Sequence, residues 1–327
     1  MILKKIAAVI VASLALGLSA CSMTEIPARE VVHNIEVPPK MLFLGDSIAA
    51  GYGLDGYTSE DNYSCRSYAN TLRERYEEEI GSECGHTMVN RAVSGYTSFD
   101  LIEQIRSGEL DSDLGSCDAV VVSIGGNDLL DIMLELMKNM GITEKGSFES
   151  DSFDLFSAAG SLFSIRGDID SALERFEENM RTIAEELLKR TEGTVYIQTL
   201  YDPLEYFSRF SIVTDFSAEK IGKLNRIISE NSSIGYKVID VAADFKGKAG
   251  ELTNISSYDI HPNAKGHEII AGDVDAAFRA TGFAYVTTEY GEERLTAEGK
   301  KTVRIGIAGA SAIALFALIG ICLKKKN

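Results

Sequence analysis

A serine and a histidine near opposite ends of the chain have neighbours that favour nucleophilic chemistry. Ser47 is the last residue of a Gly-Asp-Ser tripeptide that directly follows an apolar run, and His261 follows Asp259 by two residues. An imidazole can accept the proton of a serine hydroxyl, and a nearby carboxylate can orient the imidazole through its second ring nitrogen. Each feature alone is weak evidence for catalysis, because a serine at the end of a strand is more often a helix cap.

Two further segments carry groups that could stabilise a negatively charged oxygen. Gly95 follows a second apolar run, and Asn127 follows a third within the sequence Gly-Gly-Asn-Asp. A backbone N–H that can be approached closely and a side-chain amide are typical donors to an oxyanion. In isolation the two residues indicate only a turn glycine and a helix-capping asparagine.

The elements that must hold these groups together alternate between strands and helices. Short apolar runs predict five strands, and amphipathic patterns predict helices between them. This alternation predicts an α/β fold, a three-layer sandwich around a five-stranded parallel sheet whose carboxyl ends gather the site. Residues 141–168 interrupt the rhythm and are either a flap over the site or an inert surface excursion. The predicted strands are 41–44, 87–90, 119–124, 195–200 and 237–241, and the helices are 63–80, 99–107, 129–140, 169–190, 218–230 and 264–279.

The four segments in this order resemble the conserved blocks of the SGNH (GDSL-type) hydrolases over about residues 40–280. The resemblance implies the flavodoxin-like fold of that family and hydrolysis of carboxylic esters through an acyl-enzyme, with no cofactor and no metal. Ser47 would be the nucleophile, His261 the base and Asp259 the residue that orients it. The N–H groups of Ser47 and Gly95 and the amide of Asn127 would form the oxyanion hole.

The acid departs from the family pattern. Most members place it three residues before the histidine, where this chain has Tyr258, and the carboxylate of Asp259 lies only two residues before His261. A serine–histidine dyad assisted by a backbone carbonyl is therefore the alternative to a triad. Asp46 and Asp128 are interpreted as hydrogen-bonding scaffold rather than proton carriers.

Other functions receive less support. Residues 51–56 spell G-x-G-x-x-G, but this dinucleotide motif should start at a strand end and open a helix, so we interpret it as a loop beside Ser47. An α/β-hydrolase would require G-x-S-x-G, and the second glycine is absent. A catalytically silent surface protein that binds glycans or proteins, and an acyltransferase, stay open. A small-molecule, glycan or lipid ester is the expected substrate class.

Both ends of the sequence predict attachment to a bacterial cell membrane with the domain outside. Residues 1–21 have a basic start, an apolar core and a lipobox-like Leu-Ser-Ala-Cys end, which predicts a signal peptide and lipidation of Cys21. Residues 22–39 and 281–302 are predicted spacers. Residues 303–323 are a predicted transmembrane helix, and the basic tail 324–327 is expected in the cytoplasm.

Charge and cysteine content narrow the partners further. The net charge is −17, which disfavours binding to nucleic acid because phosphate would be repelled.

Cys65 and Cys84 flank a predicted helix and should lie far apart. Cys84 and Cys117 each precede a strand, so these two would form the bridge if one exists.

Overall fold

The computed structural model describes residues 24–34, 40–81, 87–129, 155–209, 211–280, 284–307 and 309. The chain divides into two compact units. The larger comprises His33–Tyr285, and the smaller comprises Met1–Val32 together with Val286–Asn327.

Five strands of the larger unit form one parallel sheet in the order β4-β3-β5-β6-β7. The central strand β5 has the sequence Ala-Val-Val-Val-Ser, and all its residues are buried, as expected for a strand covered on both faces. The predicted five-stranded parallel sheet is confirmed. The strands of the described residues are β1 (Thr24–Glu25), β2 (Ala28–Asn34), β3 (Lys40–Gly45), β4 (Thr87–Asn90), β5 (Ala119–Ser123), β6 (Thr194–Gln198), β7 (Lys237–Ile239), β8 (Ala284–Tyr290) and β9 (Arg294–Leu295).

Helices cover both faces of this sheet and complete a three-layer sandwich. On one face α2 (Tyr68–Ile80) packs against α9 (Ala264–Arg279), and on the other α5 (Leu155–Arg190) packs against both α3 (Ser98–Ser107) and α6 (Ser211–Glu230). Each face has its own apolar core. The labelled helices are α1 (Ser47–Ala50), α2 (Tyr68–Ile80), α3 (Ser98–Ser107), α4 (Asp111–Leu114), α5 (Leu155–Arg190), α6 (Ser211–Glu230), α7 (Val241–Phe245), α8 (Ala249–Leu252) and α9 (Ala264–Arg279); residues 126–129 and 297–307 are also helical.

The chain changes direction across the sheet at β3, which pairs with β4 on one side and β5 on the other. Ligands of open parallel sheets bind at such switch points, beyond the carboxyl ends of the strands. Gly45 ends β3 beside Ser123 with φ +127, and a Cβ there would lie 1.9 Å from the Ser123 carbonyl oxygen. Only glycine therefore allows this strand end to approach its neighbour so closely.

Several predicted boundaries are wrong by a few residues. Helix α2 begins at Tyr68 rather than at residue 63, because the Ser67 hydroxyl accepts the N–H of Asn70 and caps the helix there. Strand β7 ends at Ile239, two residues before the predicted end, because the helix α7 starts at Val241. Helix α6 starts at Ser211 rather than at 218, whereas α9 has the predicted bounds.

The predicted insertion at 141–168 is partly helical. Helix α5 begins at Leu155 rather than at residue 169, so residues 155–168 belong to this helix. Glycines at 160 and 167 lower helix propensity by about 1 kcal/mol each, which explains why the pattern did not predict a helix there. Residues 130–154, with most of the predicted helix 129–140, lie outside the described residues.

The predicted spacers contain strands. In the smaller unit β1 pairs antiparallel with β9, with Thr24 opposite Leu295 and Glu25 opposite Arg294. Strand β2 pairs with β8 in a second two-stranded sheet. No helix among the described residues has the length and apolar composition needed to cross a membrane. Most of the predicted span, residues 308 and 310–323, and all of the predicted signal peptide lie outside the described residues.

The pair Cys84 and Cys117, named as the bridge if one exists, forms no bridge at Cys117, which has a free thiol. Its Sγ lies 3.4 Å from the Thr191 hydroxyl and 3.5 Å from the Leu114 carbonyl oxygen. Cys84 itself lies outside the described residues. Cys65 is also a free thiol and is buried.

Candidate active site

The serine lies at the carboxyl end of the first sheet strand. Asp46 caps the short helix α1 by accepting the N–H of Ile48, and its own N–H donates to the Ser123 carbonyl oxygen at 3.0 Å. Ser47 is therefore the first residue of a helix that starts at the edge of the sheet. Its side chain is held in a largely buried site, since the residue is 7% exposed.

The histidine loop brings an imidazole and a carboxylate to this serine. His261 Nε2 lies 2.9 Å from Ser47 Oγ, and His261 Nδ1 lies 2.5 Å from Asp259 Oδ1. The same carboxylate oxygen accepts the backbone N–H of His261 at 3.0 Å. The loop is closed by a bridge between Thr253 and Pro262. A hydroxyl, an imidazole and a carboxylate thus form one hydrogen-bonded line.

An unusual backbone conformation accompanies the displaced acid. Tyr258 has φ 63, and among the described residues it is the only non-glycine residue with a positive φ. The left-handed turn at Tyr258 reverses the chain just before Asp259, so a carboxylate two residues before the histidine still reaches the ring. Burial alone would raise the pKa of Asp259, but hydrogen bonds from His261 and Asn254 lower it below its ordinary value. Asp259 is consequently held as a carboxylate.

The glycine-rich loop at 51–56 packs directly on this line of residues. A Cβ added to Gly53 would lie 3.0 Å from Asp259 Oδ2 and 3.4 Å from both His261 Cβ and Asn254 Nδ2. The Tyr52 ring contacts the His261 ring with 4.5 Å between centroids. Sequence reasoning missed Tyr52, Gly53 and Asn254. The glycine repeat was the available signal for the first two, and no sequence signal marks Asn254.

Gly95 lies on a loop that contacts Asn127 in the helical segment 126–129. Asn127 donates one amide N–H to the Tyr96 carbonyl oxygen at 2.8 Å and keeps a second N–H. Gly95 adopts φ +89, and a Cβ there would meet nothing within 4 Å, so its backbone faces open space. Within the described part of the chain, no acceptor contacts the backbone N–H of Ser47 or Gly95. These donors are the kind that a developing oxyanion requires.

The two other aspartates of the site hold the starts of two helices, α1 and α3. Burial raises the pKa of Asp46 to about 7, and burial also raises the pKa of Asp128. Asp128 accepts the backbone N–H of Ser98 at 2.9 Å and its hydroxyl at 2.5 Å, which fixes the start of α3. Both carboxyl groups accept backbone N–H groups at helix starts, in keeping with a scaffold role.

The second histidine of the loop region lies in the core. His267 is 0% exposed within α9, and its Nδ1 accepts the backbone N–H of Tyr68 at 3.1 Å. Burial lowers the pKa of His267 to about 3, which keeps the ring neutral. Its place is structural.

Fold and site together define an SGNH hydrolase fold, with a parallel sheet whose carboxyl edge carries the serine and histidine. The model of the GDSL-like Lipase/Acylhydrolase family matches residues 43–269. The chain therefore belongs to the GDSL-like lipase/acylhydrolase family, and the resemblance noted from the four sequence blocks is confirmed.

One relative matches in sequence, and two solved structures share the fold. The chain is 22% identical over 289 residues to the uncharacterized protein YpmR of Bacillus subtilis (strain 168), covering 84% of this chain and 96% of the relative. A lipase from a goat rumen metagenome superposes with a TM-score of 0.53 at 20% identity, covering 73% of this chain and 97% of the lipase. An extracellular lipase from Streptomyces rimosus superposes with a TM-score of 0.52 at 17% identity, covering 73% of this chain and 99% of the lipase.

Proposed function

We propose that this protein is a serine esterase that hydrolyses carboxylic (acyl or acetyl) esters through an acyl-enzyme. The observation that carries the proposal is the continuous hydrogen-bonded line from Ser47 Oγ through the His261 ring to Asp259, with distances of 2.9 and 2.5 Å. Membership of an acylhydrolase family supports the same reaction class.

Each group has a defined part in the proposed reaction. The carboxylate of Asp259 accepts the Nδ1–H of His261, which leaves Nε2 unprotonated and able to take the proton of Ser47 Oγ. The serine oxygen then bonds to the ester carbonyl carbon, and the N–H groups of Ser47, Gly95 and Asn127 bind the resulting oxyanion. The imidazolium returns its proton to the departing alcohol. Water repeats the sequence and releases the acid.

The test is turnover of p-nitrophenyl acetate and butyrate by the full chain. We expect Ser47→Ala and His261→Ala to lower kcat/KM by at least about 10³-fold, because the residues of such a unit act together. Ser257→Ala is the matched control, since Ser257 lies exposed in the same loop region as His261 and should leave kcat/KM within about two-fold.

A second measurement identifies the nucleophile directly. A fluorophosphonate should form one covalent adduct, located on Ser47 by mass spectrometry of the digested protein, and the adduct should be lost in Ser47→Ala. Esterase activity that survives Ser47→Ala would disprove the mechanism. A wild-type protein without turnover or adduct would favour the silent binding protein.

We further propose that the domain acts outside the cell while tethered to its membrane. The support is compositional: residues 305–323 are 19 uncharged, mostly apolar residues followed by three lysines, and Cys21 ends a lipobox-like segment. With Cys21→Ala present to remove the lipid anchor, the protein should stay in the membrane pellet after carbonate extraction, and further truncation before residue 303 should release most of it. A truncated Cys21→Ala protein that fractionates like the untruncated Cys21→Ala protein would contradict the tether at the carboxyl end.

A further inference from the structure

A cleft of about 350 Å³ opens between the loop that precedes α2 and the chain that follows β4. One wall includes Ser94, which directly precedes Gly95 in the oxyanion segment. The other includes Tyr57, whose ring packs against that of Tyr52 with 5.3 Å between centroids. Tyr52 in turn contacts the His261 ring, so the cleft is separated from Gly95 by one residue of the chain and from the proposed base by the Tyr52 ring.

The loop that forms this cleft is fastened to the sheet. The Asn62 amide donates to the Asn90 carbonyl oxygen at 3.2 Å and to the Ala92 carbonyl oxygen at 2.8 Å. The Tyr63 hydroxyl accepts the backbone N–H of Asn90 at 3.2 Å. These bonds tie the loop to the end of β4 at three points, so the cleft exists before a ligand arrives and little ordering is needed on binding.

The groups that line the cleft suit a hydroxyl-rich ligand. Glu60 and Asp61 provide carboxylate acceptors, Arg91 provides guanidinium donors, and the Tyr63 ring is 47% exposed beside them. An alkyl chain would take these polar groups out of water without replacing their hydrogen bonds. An anionic ligand would be repelled by the two carboxylates. The one guanidinium of the cleft, that of Arg91, already forms a salt bridge with Asp113 at 2.8 Å. Hydroxyl groups both donate and accept, so they match both kinds of partner.

We propose that this cleft binds the alcohol part of the ester and that this alcohol is a sugar or another polyol. The inference rests on the proposed esterase function and names its substrate class. In the reaction, the Ser47 Oγ–acyl carbon bond forms, the bond from that carbon to the sugar oxygen breaks, and His261 protonates this oxygen. The sugar then leaves through the cleft. The volume lies at the lower end of the roughly 300–1,000 Å³ of small-ligand pockets.

The experiment compares two alcohols with one acyl group. Acetate release by the full chain is measured from partially acetylated xylo- and gluco-oligosaccharides and from p-nitrophenyl acetate. We expect the ratio of the two kcat/KM values to fall about 10-fold or more in Glu60→Ala and in Tyr63→Ala, since hydrogen bonds to charged groups and ring contacts contribute most to such sites. The matched controls are Glu103→Ala and Tyr206→Ala, exposed residues outside the cleft, which should keep the ratio within about two-fold.

The outcomes separate the two proposals. A wild-type protein that hydrolyses p-nitrophenyl acetate but no acetylated oligosaccharide, or variants whose ratio stays unchanged, would overturn the sugar subsite and leave the esterase intact. A protein inactive on both substrates would overturn the esterase. Direct binding of xylotriose to Ser47→Ala, weakened about 10-fold by adding Glu60→Ala, would support the subsite without any turnover.

Discussion

Replacing Gly53 by alanine tests whether the glycine loop holds the carboxylate of Asp259 in the position that the proposed reaction needs. The new Cβ would lie 3.0 Å from Asp259 Oδ2, so the carboxylate must move by a few tenths of an ångström. A misplacement of about 1 Å can cost about 100-fold in rate. We therefore expect kcat/KM for p-nitrophenyl acetate to fall about 5- to 10-fold.

The matched control separates this contact from backbone strain. Gly247 has φ +77, close to the φ +86 of Gly53, but a Cβ there would meet nothing within 4 Å. Either alanine should cost about 1–2 kcal/mol of stability for its left-handed conformation, which lowers the melting temperature by about 2–4 °C per kcal/mol. The two variants should have similar melting temperatures, and only Gly53→Ala should lose activity.

A double-mutant cycle identifies the residue through which Gly53 acts. If the added methyl acts by moving Asp259, Gly53→Ala should reduce activity little further once Asp259→Asn is present, because the interaction is already lost. Equal kcat/KM for Gly53→Ala and Gly247→Ala, or fully additive losses in the cycle, would refute the idea that the loop positions the carboxylate.

Two further predictions concern stability. Because burial raises the pKa of Asp46 to about 7 from an unfolded value near 3.8, the folded state binds this proton more tightly. Asp46 should thus lower the free energy of unfolding by up to about 4 kcal/mol as pH rises from about 4 to above 7, and urea titrations of Asp46→Asn should show a fall that is smaller by about this amount. Tyr258 has φ 63, and its replacement by asparagine should give a protein about 1 kcal/mol more stable in urea titrations than its replacement by alanine. Both variants lose the ring, but asparagine tolerates a left-handed backbone better than alanine. Equal stabilities of the two variants would argue against backbone strain at this position.

Much of the fold was predictable because its central strands are continuous apolar runs. The run at Ala119–Ser123 can be stable only between two covered faces, and its neighbours follow the same rule. The site segments were predictable for a related reason, since Ser47, Gly95, Asn127 and His261 each follow a strand and so gather at one edge.

The rest depended on contacts between segments that no local pattern encodes. Asn254 acts on Asp259 across a loop, and the packing of Gly53 is visible only once both loops are folded. The sequence alone left a dyad open because Asp259 is displaced by one residue. The left-handed turn at Tyr258 compensates for this displacement, and tyrosine is not a residue type that predicts such a turn. The terminal strands β1 and β9 are only two residues each, too short for a periodic signal.

The pairing of β1 with β9 has a consequence for the proposed tether. Since Thr24 stands opposite Leu295, the chain that precedes one and the chain that follows the other depart from a single place. Three residues separate Thr24 from Cys21, at most about 10 Å of extended chain, and a helical segment starts at residue 297. A lipid on Cys21 and a carboxyl-terminal span would then enter the same small area of bilayer. The two would act as a bivalent attachment, because insertion of one anchor keeps the other close to the membrane at a high effective concentration.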